Sequence, residues 1–590
     1  MKKQKRFLVT TALEQTWVED QPVLFLGEWC RLYSRKSRWS NMNAITLPYH
    51  WDDRERLCAD YAYLNNLYER LLESLSIKLN QIHGVDYSFR YWRILVGPWL
   101  AYFIHILFDR WISIENALNS YEITGTIAIK RKKPLVANDM TEFLDLFLGD
   151  EWNHQIYLEI ISKISKISFS LIKVNNQNLA KKPTKKKLSI KNCALNIYSR
   201  IAKRFIRDDD LFINRSYLTL YNEALLQCRF GQIPQFWIDQ KPEQANFECK
   251  MREWKFSIKT QNNFEDFLLS QIPGQIPRTY IEGYKSLIVK VKALPWPKSP
   301  KLLFSSSILL HNDVSKAYFA EKTQRGVPLV YGQHGGGYGT AKFHFAEEHE
   351  IAISDKYLTW GWKNSLNKKV TPIGIFKVPK KIRRKFNGRK KLLYLTLGIS
   401  RYSYRLCAES AINYQNYINR NFAFVSRLKG EVLEDFLLRF PPSGDGQDAF
   451  FRWRERFPSL EIDHGFRKIN SLMRDARLVV QTYNQTGLLE SLALGIPSIL
   501  FSELSVAPIR ETAVPYYAEL KHAGIFHESP ESAALHINNI WDDVDAWWGS
   551  DQVQSVIESF KKHYCYQPEN LLDEIEIILC DMISKSSNSS

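Results

Sequence analysis

Two stretches of this chain pair a strand-ending turn with residues suited to an anionic, hydroxyl-rich ligand. The first runs from Leu478 to Pro497: an apolar strand, a polar turn, and a helix that begins near Thr486. Bare backbone N–H groups at a helix start, joined by the side chains of Thr482, Gln485 and Thr486, form a nest for a phosphate. Gly487 has no Cβ to keep that phosphate off the backbone. Glu490 lies one turn further on the same face, where it can accept from ribose or sugar hydroxyls. Gly495 and Pro497 end the helix. The plainer reading is an ordinary strand-to-helix turn capped by Gln485 or Thr486.

The second stretch, Gly332 to Gly339, follows the short strand Val327–Tyr331 and holds four glycines in the five positions 335–339. Its glycines allow positive φ and close ligand approach, which adds Gln333, Gly335 and Gly336 to the binding candidates. His334, at the mouth of the strand, suits phosphate binding or proton transfer near neutral pH; the alternative is a tight turn with a structural histidine. The loop has neither a Walker Gly-Lys-Ser/Thr nor the GxGxxG order. Basic side chains follow three later strands: Arg401, Arg439, and His464 with Arg467. Their positions suit neutralisation of a phosphate. Glu14, His311, Asp313 and His334 each follow an expected strand and are the candidates for a proton acceptor; the residues do not choose among them. The acidic runs Asp52-Asp53 and Asp208-Asp209-Asp210 read as helix or loop rather than as a metal-diphosphate motif, so no metal is expected.

The elements that must position these groups read as α/β. Phe7–Thr11 and Val23–Leu26 have strand length, and helical spacing runs from Asp52 to about Ser120. Residues 125–295 read as a mainly helical insertion. Strand alternation returns at Lys301–Leu310, followed by a helix over 314–323 capped by Asn312 or Asp313, and strands near 357–362 and 370–374. A basic, Pro- and Gly-containing segment at 377–391 reads as a linker. Beyond it strands at 391–397, 423–428, 460–462, 478–482 and 498–501 alternate with helices at 405–419, 431–438, 467–474 and 486–493, which predicts a parallel sheet with ligands at its carboxyl ends. The expected plan is a first lobe over 1–376, a second over 392–583, a deep cleft between them, and a disordered tail over 584–590.

The chain has 590 residues, a size that calls for more than one core. Its formal net charge of +17 favours phosphorylated substrates or anionic lipid headgroups. Helix-turn-helix, zinc-finger and RRM signatures are missing, so no nucleic-acid partner is expected. The Lys181–Lys187 run reads as a solvated loop, or alternatively as a contact with a membrane surface. Eight cysteines without a CxxC pair fit a reducing compartment. The longest apolar run, Ile94–Phe108, contains Gly97, Pro98 and His105 and falls short of a spanning helix, so a buried or interfacial helix is expected.

The segment TGLLESLALGIPSI (486–499) resembles the donor-binding turn and helix of GT-B glycosyltransferases. The Gln-His-Gly turn resembles the interlobe face of other GT-B enzymes, some of which use CMP-linked sugars. FLVTTALEQTW, PVLFLGEWC, YHWDDR and RYWRILVGPWL together resemble a family of transferases encoded in bacterial O-antigen gene regions. The resemblance implies two Rossmann-like lobes and a nucleotide-sugar donor whose hydroxyls fall to Glu490 and whose phosphate falls to Gln485, Thr486 and Gly487. The basic side chains would then neutralise the leaving nucleotide without a metal or other cofactor. It further implies a glycan or lipid-linked glycan acceptor, and a cytoplasmic protein resting peripherally on the inner membrane. The alternatives are a GT-B-fold nucleotide-sugar epimerase, a polyol-phosphate transferase, and a non-catalytic scaffold for lipid-linked glycan.

Overall fold

The computed structural model describes residues 3–131, 133–165, 167–172, 197–377, 391–406, 414–442, 448–505 and 507–588. Most of the expected linker and the whole Lys181–Lys187 run lie outside them. Three sheets, each wholly parallel, organise the chain. The first takes β1 (Lys5–Val9), β2 (Val23–Phe25), β3 (Ala44–Thr46), β4 (Glu122–Ile129) and β5 (Phe169–Ile172) in the order β3-β2-β1-β4-β5. Between β3 and β4 run two long helices, α1 (Arg54–His83) and α2 (Phe89–Ser120), and α3 (Asp150–Ile164) precedes β5.

The second sheet takes β6 (Phe212–Ile213), β7 (Leu303–Ser305), β8 (Leu329–Gly332), β9 (Lys356–Thr359) and β10 (Val370–Pro372) in simple sequence order, with α4 (Asp313–Gln324) between β7 and β8. The third takes β11 (Lys391–Leu395), β12 (Phe436–Arg439), β13 (Glu461–Asp463), β14 (Ala476–Gln481), β15 (Ser498–Phe501) and β16 (Phe526–His527). Its order, β13-β12-β11-β14-β15-β16, reverses between β11 and β14, which opens a crevice at their carboxyl ends. Three helices of this unit matter below: α5 (Tyr414–Val425), α6 (Thr486–Leu494) and α7 (Asp551–Tyr564).

Helix α2 lies between the first two sheets and joins them. It starts at Ser88, whose side chain accepts from Tyr91 N. Being apolar on every side, it must be covered on every side. It has the length and composition to cross a membrane, yet its most apolar window is wholly buried in the protein. The second and third sheets face each other with their carboxyl ends toward a common cleft. After α7 the chain returns to the second sheet: Ile375 N donates to Tyr566 O, and Tyr566 N donates to Trp360 O. A last helix, α8 (Leu571–Ser587), packs beside Arg229, which pairs with Asp573 and Glu576. The facing parallel-sheet units and the C-terminal crossover are the expected GT-B plan.

Four details differ from the reading of the sequence. The stretch 125–295 contributes β5 and β6 and most of β4, so the first 376 residues hold two sheets rather than one. Residues 423–428 are not a strand. Ile418, Asn421, Phe424, Val425 and Leu428 are buried at helical spacing, and residues up to Val425 belong to α5. The strand instead is β12, inside the stretch expected as a helix. Finally, Ser584–Ser587 continue α8 rather than forming a loose tail.

Candidate active site

The glycine loop after β8 and the start of α6 touch directly across the cleft. Gly336 N donates to Thr486 Oγ1 at 2.8 Å. A Cβ on Gly336 would lie 2.2 Å from Thr486 N and 2.3 Å from Gln485 C, so only glycine permits this contact. The loop therefore packs on the helix start, and its close approach serves the wall of the cleft. Nearby, Arg510 N donates to Thr340 O at 2.9 Å and its guanidinium pairs with Glu347 at 2.9 Å, tying the same two walls together.

His334 faces this junction with its side chain about one-fifth exposed. Its Nδ1 lies 3.6 Å from Glu350 Oε1, and the Tyr338 hydroxyl sits 3.3 Å from its Nε2. Tyr338 donates to Glu350 Oε1 at 3.1 Å and Tyr357 donates to Oε2 at 3.1 Å. Burial, then the nearby His311 and Arg405, pushes His334 down to about 4, while burial pushes the Glu350 carboxyl well up. His311 is open to the cleft but crowded on its other sides, and burial with Lys316 and Arg405 pushes it to about 4 as well. His344 completes the group at about 3, through burial, Arg405 and His334. Arg405, a permanent cation on the loop after β11, thus helps to hold all three imidazoles neutral.

Glu490 stands on α6 at the opposite wall. Its carboxylate makes no hydrogen bond or ion pair among the described residues, and burial pushes it up against the opposing pull of Lys377. Tyr217 connects the two walls. Its ring meets His334 at 6.4 Å and Trp360 at 5.9 Å, Lys377 Nζ lies 5.2 Å from it, and burial followed by the Glu490 charge pushes the phenol up to about 12. Its φ of +65 is rare for so bulky a residue, a strain that concentrates at functional sites. A cavity of about 360 Å³ opens beside this junction at the ends of β14 and β15. Thr482, Tyr417, Asn419, Phe501 and Glu503 line it, and Asp52 and Arg54 of the first unit roof it. Thr482 Oγ1 and the Tyr417 hydroxyl share a hydrogen bond of 2.7 Å.

Several expected site residues are engaged elsewhere. Gln333 is fully buried; its Oε1 accepts from Trp360 N and Trp362 Nε1, and its Nε2 donates to Gly335 O, so it fixes the loop. A Cβ on Gly335 would lie 3.2 Å from Thr486 Oγ1, and one on Gly337 would lie 3.2 Å from Gln485 Nε2. Gly487 makes room for Gln481 Oε1 rather than for a phosphate. Asp313 is buried, accepting from Tyr280 OH, Lys316 Nζ and Met140 N. Glu14 pairs with Arg35 and Arg38 on the first sheet's loops. Arg401 binds Asp150 Oδ2 at 2.7 Å and Trp29 O at 3.3 Å, latching the third unit to the first. Arg439 pairs with Asp463, and His464 packs among Phe440, Phe450 and Phe466 at the β12–β13 side of the sheet. The residues the sequence reading missed are Tyr217, Tyr338, His344, Glu350 and Arg405. For Arg405 the signal was there, since it shares with Arg401 the loop after the first strand of the third sheet.

The family model described as LIC12162 family transferase matches residues 6–579, nearly the whole chain and both walls of the cleft. The chain belongs to that family. It is a transferase. Among solved structures, this LIC12162 family member is similar to the Streptomyces sp. SF2575 glycosyltransferase SsfS6, at 13% identity over 62% of this chain and 99% of that chain, with a TM-score of 0.30. It is also similar to Acinetobacter baumannii MurG, at 9% identity over 63% and 99% with a TM-score of 0.32. A third is the wall teichoic acid polymerase TagF, at 10% identity over 67% and 96% with a TM-score of 0.29. No curated protein matches it.

Proposed function

We propose that this protein is a metal-independent glycosyltransferase that moves a sugar from a nucleotide donor onto a bacterial surface glycan, of O-antigen or capsule type, on the cytoplasmic side of the membrane. One observation carries the reading: His334, a neutral imidazole, packs against the strained Tyr217, whose phenol also feels the charge of Glu490, a carboxylate on α6 that is unpaired among the described residues. The nucleotide fits the cavity at the ends of β14 and β15, the sugar lies over Tyr217 with its hydroxyls on Glu490, and the phosphate falls near Arg405 and the start of α6. In an inverting transfer the acceptor oxygen bonds the anomeric carbon as the sugar–phosphate C–O bond breaks. The electron pair leaves with the nucleotide, and the acceptor proton passes to His334, whose Nδ1 lies 3.6 Å from Glu350 Oε1. The charge of +17 and the resemblance to O-antigen-region transferases support an anionic or lipid-linked acceptor at a membrane surface.

A thermal-shift screen against CMP, UDP, GDP and dTDP tests the donor. A ligand at about 100 times its Kd adds roughly 2.7 kcal/mol, which a melting curve resolves. The matching nucleotide sugars are then assayed for nucleotide release with and without glycan acceptor, in EDTA. Release that depends on acceptor and survives chelation is expected. Release without acceptor would make this an epimerase or hydrolase, and loss in EDTA that Mg²⁺ or Mn²⁺ restores would end the metal-free mechanism.

A further inference from the structure

The first sheet has its own reversal of strand order, between β1 and β4, and a cavity of about 310 Å³ opens at the carboxyl end of β4 beside this crevice. It is separate from the cleft described above. Its walls are the end of β4 (Ile129), the loop carrying Arg131, Lys133 and Pro134, and one stripe of α3: His154, Gln155, Leu158, Glu159 and Ser162. Its volume is at the lower end for a small-molecule site, room for about one sugar ring.

Two buried polar atoms on its wall have no hydrogen-bond partner among the described residues. His154 is only 2% exposed; its Nδ1 shares a 2.9 Å hydrogen bond with Thr10 Oγ1 at the end of β1, and its Nε2 has no partner. Burial pushes this ring down to about 4, so it is neutral and can meet a hydroxyl. Glu159 accepts from Gln155 Nε2 at 3.0 Å through one oxygen, while its buried Oε2 has no partner among the described residues. Buried polar atoms are normally hydrogen-bonded, so two unpartnered ones on one cavity wall are suited to meet the hydroxyls of a ligand. Arg131, paired with Glu151 at 2.8 Å, and the exposed Lys133 place positive charge on the loop above.

We propose that this cavity binds a phosphorylated monosaccharide. A bare phosphate inside would meet the Glu159 carboxylate and be repelled. A sugar phosphate satisfies both ends: its hydroxyls reach Glu159 Oε2 and His154 Nε2, and its phosphate lies against Lys133 and Arg131.

Calorimetric titration of the full-length protein with glucose 1-phosphate, glucose 6-phosphate, inorganic phosphate and glucose tests this. At least one hexose phosphate is expected to bind at a Kd below about 10 mM, tighter than either fragment. Lys133→Ala, on an exposed side chain, and Glu159→Gln should each weaken it about tenfold, while the thermal shift from the cleft nucleotide is unchanged. Three results would overturn the proposal: no hexose phosphate binding, inorganic phosphate binding as tightly, or both variants binding like wild type, which would put the ligand elsewhere.

Discussion

In the proposed mechanism His334 and Glu490 divide the work of the cleft by their protonation. An imidazole driven down to about 4 by burial first, then by the neighbouring His311 and Arg405, is a free base throughout the neutral range. We expect His334→Ala to lower kcat by roughly 10²–10⁴-fold, the usual contribution of a positioned base, with little change in nucleotide binding. The acid limb of wild-type kcat should fall near pH 4 rather than near the ordinary histidine value of about 6.5, because only protonation disables the base. A limb near 6.5, or a His334→Ala enzyme that turns over normally, would remove His334 from the chemistry. In the proposed mechanism Glu490 has the opposite task, holding donor hydroxyls in ground and transition states alike. Glu490→Gln should raise the donor KM by roughly 10- to 100-fold, matching the 1.5–3 kcal/mol of a charged hydrogen bond, and leave kcat nearly intact. An unchanged KM and thermal shift would place the sugar elsewhere.

Between elements, the contact of the glycine loop with α6 decides how closely the cleft walls stand. Gly336→Ala puts a methyl 2.2 Å from Thr486 N, so the walls must part. We expect a folded protein with kcat/KM reduced about tenfold or more, whereas Gly335→Ala, facing only the Thr486 hydroxyl at 3.2 Å, should be mild. Circular dichroism and steady-state kinetics check both, and a fully active Gly336→Ala would mean the contact is not part of the working geometry. The strand, turn and helix around Thr486 were legible in the sequence because apolar length, turn residues and the Gly495–Pro497 stop all agree there. The function of Gly336 was not, because its reason lies 150 residues away on another wall. Arg401 follows a strand as expected and Arg439 ends one, but their acidic partners, Asp150 and Asp463, become visible only once tertiary packing assembles them. The apolar run 422–425 fits a strand or a helix equally well by period, and only packing chose. Tyr217 left no trace, since its left-handed backbone runs against the preference of its own side chain.

Over the whole molecule, ten of the thirteen histidines sit below their ordinary value, with burial as the first cause of each. Each is held as the free base in the folded state, so below about pH 6.5 the unfolded chain binds more protons. The stability they contribute is present above that value and lost as pH falls toward about 4. Urea midpoints at constant salt should therefore drop steeply between pH 6.5 and 4.5; a flat profile would refute the buried-histidine account. Helix α2 carries a different consequence, one of time. It is complete at Ser120, but α4, which covers part of it, begins about 190 residues later at Asp313. At roughly 5–20 residues per second, a ribosome leaves that span bare for about 10–40 seconds. For that interval the nascent chain presents a 32-residue helix apolar enough to enter a bilayer. Synthesis of this protein is thus a race between completing its own second sheet and surrendering α2 to a chaperone or a membrane. Nascent chains stalled near residue 200 should partition into liposomes, while those stalled beyond Gln324 should stay in the aqueous phase.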